Sequence, residues 1–204
     1  MKYFFPRVLN KIGLLHRINI FPKLQIKKKS IIIPVINKIG YNNLFLSEMW
    51  MIRLLESVLP LAKGSFVDIG VNLGQSLIKL RSLDQKRQYI GFEPNPSCVF
   101  YVEKLIKVNS FENTLVIPVG LSDKTDVLHL NLYSENNSVD SSGSIIKDFR
   151  DQKVFKQIYI PVFSVNELNI PIHDAGILKI DIEGAELEVI KSFQKIIQDS
   201  RPFI

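Results

Sequence analysis

Acidic residues follow short apolar runs at several points in this chain, and closely spaced glycines follow one of them. Residues Phe66–Ser76 run F-V-D-I-G-V-N-L-G-Q-S, so Asp68 ends an apolar run and Gly70 and Gly74 come soon after. This pattern is typical of a buried parallel strand that turns into a helix N-terminus with a ligand close to the backbone. Asn72 stands between the glycines, and the G-x-G-x-x-G spacing of a dinucleotide loop is absent.

The composition of this loop favours a ligand that carries positive charge and no phosphate. A pyrophosphate would call for the dinucleotide spacing, whereas Asp68 attracts an ammonium or sulfonium group. S-Adenosylmethionine has both groups on its methionine part. We therefore expect this cofactor beside Gly70, with an ordinary strand-to-helix turn as the alternative. An NAD(P)-dependent oxidoreductase is disfavoured by the missing glycine spacing.

Alternation of short apolar runs with helical patterns predicts the elements that position these residues. The predicted strands are Phe66–Ile69, Tyr89–Phe92, Leu115–Val119 and Ile177–Ile182, with a further strand beginning at Arg201. The predicted helices are Gln75–Leu83, Ser97–Val108 and Ala185–Ile197. This order is typical of right-handed βαβ units, so we predict an α/β fold whose sheet is mostly parallel, with helices on both faces. Asp126–Tyr133 and Val154–Phe163 predict two more strands that pair as a side hairpin.

Ligands of such sheets bind beyond the carboxyl ends of the strands, so the residues there are site candidates. Glu93 follows the second strand, beside the stiffening Pro94, and we predict that it accepts both ribose hydroxyls of an adenosine. Gly120 and Leu121 follow the third strand and could line an adenine. A surface glutamate in an ordinary loop is the alternative for Glu93.

The fourth strand ends in an unusually charged segment, L-K-I-D-I-E-G-A-E. Period-two alternation puts Lys179 and Asp181 on one side of the strand, and charges in so apolar a strand are costly unless they are paired or functional. We predict that Asp181 orients or deprotonates a substrate hydroxyl, with Lys179 and Glu183 as further catalytic candidates. Glu186 fits better as a first-turn helix residue, where the helix dipole favours a carboxylate.

These strand ends, taken in order, resemble the FkbM family of S-adenosylmethionine-dependent methyltransferases. The resemblance lies in V-D-I-G-V-N-L-G, F-E-P-N-P, V-G-L-S-D, L-K-I-D-I-E-G-A-E and the closing R-P-F-I, and it covers roughly residues 64–204. It implies the Rossmann-like class I methyltransferase fold and methyl transfer, usually to a hydroxyl oxygen of a sugar or natural product. The cofactor-binding candidates are then Asp68, Gly70, Asn72, Gly74, Glu93, Pro94, Gly120 and Leu121.

The resemblance also implies further C-terminal strands. We therefore expect residues 48–204 to form a methyltransferase domain truncated at its fifth strand, with the C-terminal strands missing. A decayed member that keeps only the cofactor half would be a non-catalytic binding or membrane-associated module, and this is the alternative function.

Positive charge is concentrated near the N-terminus. Residues 1–47 contain nine Lys and Arg and no Asp or Glu, whereas residues 48–204 carry 17 bases and 20 acids. This basic N-terminal segment predicts either an arm packed on the domain or peripheral contact with an anionic membrane. A nucleic-acid partner is disfavoured because the domain itself is slightly acidic. No apolar run predicts a membrane span, so we expect a cytoplasmic protein, with peripheral membrane contact left open.

The remaining composition limits the chemistry of the site. A single cysteine, Cys98, excludes a disulfide framework and a cysteine-rich zinc site. The histidines show no metal-ligand spacing, so we predict no metal. The acceptor, a small molecule or a glycan, carries no signature in the sequence.

Overall fold

A parallel sheet lies at the centre of the fold. The computed structural model describes residues 3–133, 143, 153–170, 172, 174–182 and 184–204. Its strands are β1 (Asn19–Ile20), β2 (Lys23–Ile26), β3 (Lys29–Ile32), β4 (Val35–Ile36), β5 (Ser65–Ile69), β6 (Tyr89–Phe92), β7 (Thr114–Ile117), β8 (Gly120–Ser122), β9 (Asp126–Leu132), β10 (Lys156–Ser164) and β11 (Ala175–Ile180). Its helices are α1 (Phe4–Lys11), α2 (Met49–Val58), α3 (Gln75–Leu83), α4 (Pro96–Asn109), α5 (Glu186–Ser192) and α6 (Gln194–Ser200), with 3₁₀ turns at Leu14–His16, Tyr41–Phe45 and Val165–Glu167.

The central sheet has the order β11-β5-β6-β7, and all of its pairs are parallel. Beyond β11, the Leu178 N–H donates to the Phe203 carbonyl at 2.8 Å, and the Phe203 N–H donates to the Gly176 carbonyl at 3.0 Å. The segment from Arg201 therefore starts to extend the sheet, as the sequence predicts. Since the chain runs outward from β5 in both directions, the switch point lies between β5 and β11, where open sheets of this kind bind ligands.

Helices cover both faces of this sheet, as predicted. On one face Phe66 packs in a core with Leu77 of α3 and Leu105 of α4. On the other, Val67 packs in a second core with Val189 of α5. Burial of a side chain of this size stabilises the fold by about 1.5–3 kcal/mol. Successive side chains of β5 lie on opposite faces of the sheet, so the strand contributes to both cores.

The N-terminal segment contributes to the first of these cores. Its β2–β3 hairpin and its β1–β4 pair are both antiparallel, and Leu24 and Ile31 are buried in the same cluster as Phe66. The Asn109 side chain of α4 bonds both backbone groups of Ile32, accepting from the N–H at 2.7 Å and donating to the carbonyl at 2.7 Å. The basic charges therefore belong to a segment whose apolar residues are built into the fold.

A second sheet, in the order β8-β10-β9, lies beside the central one. β10 pairs antiparallel with β9, which confirms the predicted side hairpin, and parallel with β8. The third central strand ends at Ile117 rather than Val119. Pro118 has no N–H to continue the ladder, so the chain turns there and Gly120–Ser122 joins the second sheet instead.

The predicted helix Ala185–Ile197 is wrong as a single element, because α5 ends and α6 begins on either side of Phe193. Phe193 is fully buried and has φ −85° and ψ 0°, outside the helical region. Burying this ring sets the break between the two helices. Within the described ranges, none of the helices has the length and apolar character that crossing a membrane requires.

Candidate active site

A cleft with a volume of about 170 Å³ opens at the carboxyl end of the central sheet. Gly70 and Asn72 border it after β5, Glu93 after β6, Gly120 in β8 and Asp181 after β11. The cleft therefore collects residues from every strand end that the sequence singles out, at the switch point of the sheet.

The turn after β5 needs glycine at its first position. Gly70 has φ +85°, and a Cβ there would lie 2.1 Å from the main-chain carbonyl oxygen of Asp181. Its N–H donates to the Phe92 carbonyl at 3.0 Å, and Asn72 also has a positive φ of 53°. The turn is thus fixed from both neighbouring strands, with its backbone exposed to the cleft.

Glu93 is the buried carboxylate of the cleft. The residue is 7% exposed, and its carboxylate accepts from the Asn72 N–H at 2.7 Å and from the Asn95 N–H at 2.9 Å. Burial raises the pKa of Glu93, and the two backbone donors partly oppose this rise. A carboxylate has about four acceptor positions, so these bonds leave capacity for hydroxyl donors of a ligand. Pro94 and Leu121, also predicted, border the same cleft.

Asp68 and Gly74 do not border the cleft. Asp68 is fully buried, and its Oδ2 accepts from the Tyr89 hydroxyl at 2.6 Å. Gly74 faces α4, where a Cβ would lie 3.0 Å from Leu105 Cδ2. The structure therefore places Asp68 behind the turn at Gly70, and places Gly74 where α3 packs on α4.

Lys179 links these parts of the site. Its Nζ lies 3.0 Å from Asp68 Oδ1 and 3.5 Å from Asp181 Oδ2, and it donates to the Gly70 carbonyl at 2.8 Å. Burial lowers the pKa of Lys179, but the charges of the two aspartates raise it, and the net change is a rise. The ammonium therefore stays charged at neutral pH and holds the ends of β5 and β11 together.

Asp181 stands at the mouth of the cleft with its side chain 75% exposed. Its N–H donates to the Ile69 carbonyl at 3.0 Å, so the backbone continues the pairing with β5 while the carboxylate reaches solvent. Glu183, the remaining catalytic candidate, lies outside the described residues. Glu186 is in the first turn of α5, as predicted, and accepts from the Gly184 N–H through both carboxylate oxygens.

Sequence reasoning missed an apolar part of the cleft lining. Leu130 of β9 and Ile160 and Val162 of β10 form it. Their alternation predicts a half-buried hairpin, but no local signal says where its apolar face packs. Tyr89, the partner of Asp68, also carries no signal beyond its place in a buried strand.

Comparison with known families agrees with this geometry. The profile of the Methyltransferase FkbM domain matches residues 68–204, which is more than half of the chain and includes every strand end around the cleft. No significant match exists among curated proteins or among solved structures. The protein is therefore a methyltransferase by descent, and the chain belongs to the FkbM methyltransferase family.

Proposed function

We propose that this protein transfers a methyl group from S-adenosylmethionine to a hydroxyl oxygen of a sugar or natural-product acceptor. The observation that carries the proposal is Glu93, a buried carboxylate at the carboxyl end of a parallel sheet, held by two backbone N–H groups. The strand order β7-β6-β5-β11, with Phe203 beyond β11, fits the Rossmann-like class I methyltransferase fold.

The residues of the cleft fit the parts of this cofactor. Glu93 suits two vicinal ribose hydroxyls, because a carboxylate accepts two hydroxyl donors at once. Gly120 and Leu121 offer a backbone and an apolar surface to the adenine, and the turn at Gly70 and Asn72 offers backbone groups to the methionine part. When bound, the cofactor supplies an electrophilic methyl group.

Asp181 is the candidate acceptor for the proton of the substrate hydroxyl. It is exposed at the mouth of the same cleft, and Lys179 lies close enough to orient its carboxylate. A positioned general base contributes about 10²–10⁴-fold to a rate. Holding the nucleophile in line contributes more, up to about 7–11 kcal/mol.

Two alanine variants separate binding from transfer. We expect Glu93→Ala to weaken the binding of S-adenosylhomocysteine at least about tenfold, since two charge-assisted hydrogen bonds are lost. Asp181→Ala should keep binding and lose methyl transfer to hydroxylated acceptors, followed with a radiolabelled methyl group. Glu103→Ala, an exposed acid of α4, is the matched control and should change neither.

The measurements are calorimetry for binding and mass or label gain for transfer. If Glu93→Ala binds S-adenosylhomocysteine with wild-type affinity, Glu93 does not bind the cofactor. Equal loss of binding and transfer in Asp181→Ala would contradict its catalytic role. Tight binding without transfer to any acceptor would favour the non-catalytic binding module.

A further inference from the structure

An apolar face of α1 is exposed on the surface. Phe4, Phe5, Val8 and Ile12, the last being the C-cap residue, are 66%, 62%, 36% and 59% exposed. At about 100° per residue, these positions fall within an arc of about 100°. Single exposed apolar residues are ordinary, but a contiguous patch on one helix face marks an interaction site.

This face is distinct from the one that holds α1 on the protein. Pro6 and Leu9 are the buried residues of the helix, and Leu9 belongs to the first core. On the helix surface they lie to one side of the exposed stripe that Phe4, Phe5, Val8 and Ile12 form. The stripe is therefore not needed to pack α1 on the protein, because Pro6 and Leu9 already make that contact.

Cations flank the stripe on its other side. Arg7 and Lys11 follow Phe4 by three and seven positions, which places both next to the edge that Phe4 forms. The Arg7 guanidinium lies 5.1 Å from the centre of the Phe45 ring, which holds it at this border. A stripe of aromatic and aliphatic residues beside cations is the pattern of a helix that lies in a membrane interface.

We propose that the exposed face of α1 docks the protein on an anionic lipid bilayer, with Phe4, Phe5 and Ile12 inserted among the acyl chains. Charge selects this occupant: residues 1–47 hold nine bases and no acid, which matches a surface of anionic headgroups. The shape agrees, since a helix is a convex cylinder that fits a soft, planar phase without a complementary groove.

Vesicle flotation tests the proposal on the full chain. We expect wild-type protein to float with phosphatidylcholine vesicles that contain about 30% phosphatidylserine, to float less with pure phosphatidylcholine, and to be released by high salt. The triple variant Phe4→Ser, Phe5→Ser, Ile12→Ser should lower the partition coefficient at least about tenfold. Val127→Ser with Leu187→Ser is the matched control, because these side chains are 60% and 59% exposed elsewhere on the surface and should leave binding unchanged.

A fluorescence measurement locates the insertion directly. In a Trp50→Phe background, Phe5→Trp provides a single tryptophan on the stripe, and we expect its emission to shift to the blue and to be quenched by brominated lipid. Thermal melts check that each variant is folded.

Several results would overturn the proposal. These are wild-type protein that stays unbound with anionic vesicles, a triple variant that floats as well as the wild type, and an unquenched tryptophan at position 5. Loss of self-association or of RNA binding in the triple variant, with no vesicle binding by the wild type, would assign the face to a second copy or to a nucleic acid instead.

Discussion

Lys179→Met is expected to destabilise the fold strongly, because it leaves Asp68 buried without its cation. Asp68 is fully buried and would keep the hydrogen bond from the Tyr89 hydroxyl at 2.6 Å, but it would lose the ion pair with Lys179 at 3.0 Å. Removing one partner of a buried ion pair costs about 3–5 kcal/mol. The Lys179 side chain is 19% exposed, so water screens the pair in part and we expect a loss of about 2–4 kcal/mol in the free energy of unfolding.

The assay is urea unfolding of wild type, Lys179→Met, Asp68→Asn and the double variant. Because the amide introduced by Asp68→Asn carries no charge, the second substitution should recover part of the loss, and the cycle should give a coupling of about 2 kcal/mol. Lys28→Met removes an exposed lysine as the matched control and should change stability by less than about 0.5 kcal/mol.

The pH dependence follows from the raised pKa of Lys179. A cation whose pKa is higher in the folded state contributes its full stabilisation below the unfolded value of about 10.4, and loses it as the pH rises through the folded value. The difference between wild type and Lys179→Met should therefore be constant from neutral pH to about pH 9 and shrink above about pH 10. A loss below about 1 kcal/mol at neutral pH, or additivity in the double variant, would refute the buried-pair argument.

Three further perturbations test the site and its support. Gly70→Ala should cost more stability than Gly13→Ala by about 1–3 kcal/mol in thermal or urea unfolding, because both have positive φ but only the first would meet a carbonyl at 2.1 Å. Arg81→Met should lower the free energy of unfolding by at least about 3 kcal/mol in the same assay, since the fully buried guanidinium donates to several carbonyls. The control Arg53→Met removes an exposed arginine and should be nearly neutral. Burial raises the pKa of Glu93 above the ordinary glutamate value of 4.5, and protonation of its carboxylate removes a hydrogen-bond acceptor. Calorimetry at a series of pH values should therefore show that the binding of S-adenosylhomocysteine weakens on acidification before pH 4.5 is reached. Unchanged affinity down to pH 4.5 would contradict this.

The local sequence was sufficient to predict the strands and the helix that surround the candidate site. Apolar runs bounded by glycine and proline identify β5 and β6, and helix periodicity identifies α3, because strand burial and helix amphipathicity are properties of neighbouring residues. Glu93 could be predicted to border the cleft since it directly follows a buried strand, and the ends of parallel strands meet at one edge. Family membership was recoverable for the same reason, as its motifs sit at those ends.

Contacts between distant segments were decided only by the tertiary structure. Asp68 lies inside β5, one residue before its end, whereas Glu93 follows β6. Asp68 can be buried because the register of β11 on β5 sets Lys179 opposite it and supplies its countercharge. The apolar part of the cleft lining from β9 and β10 likewise depends on how a hairpin packs. Register and packing join residues far apart in the chain, so periodicity along the sequence predicts which residues are buried but not which partner each one meets.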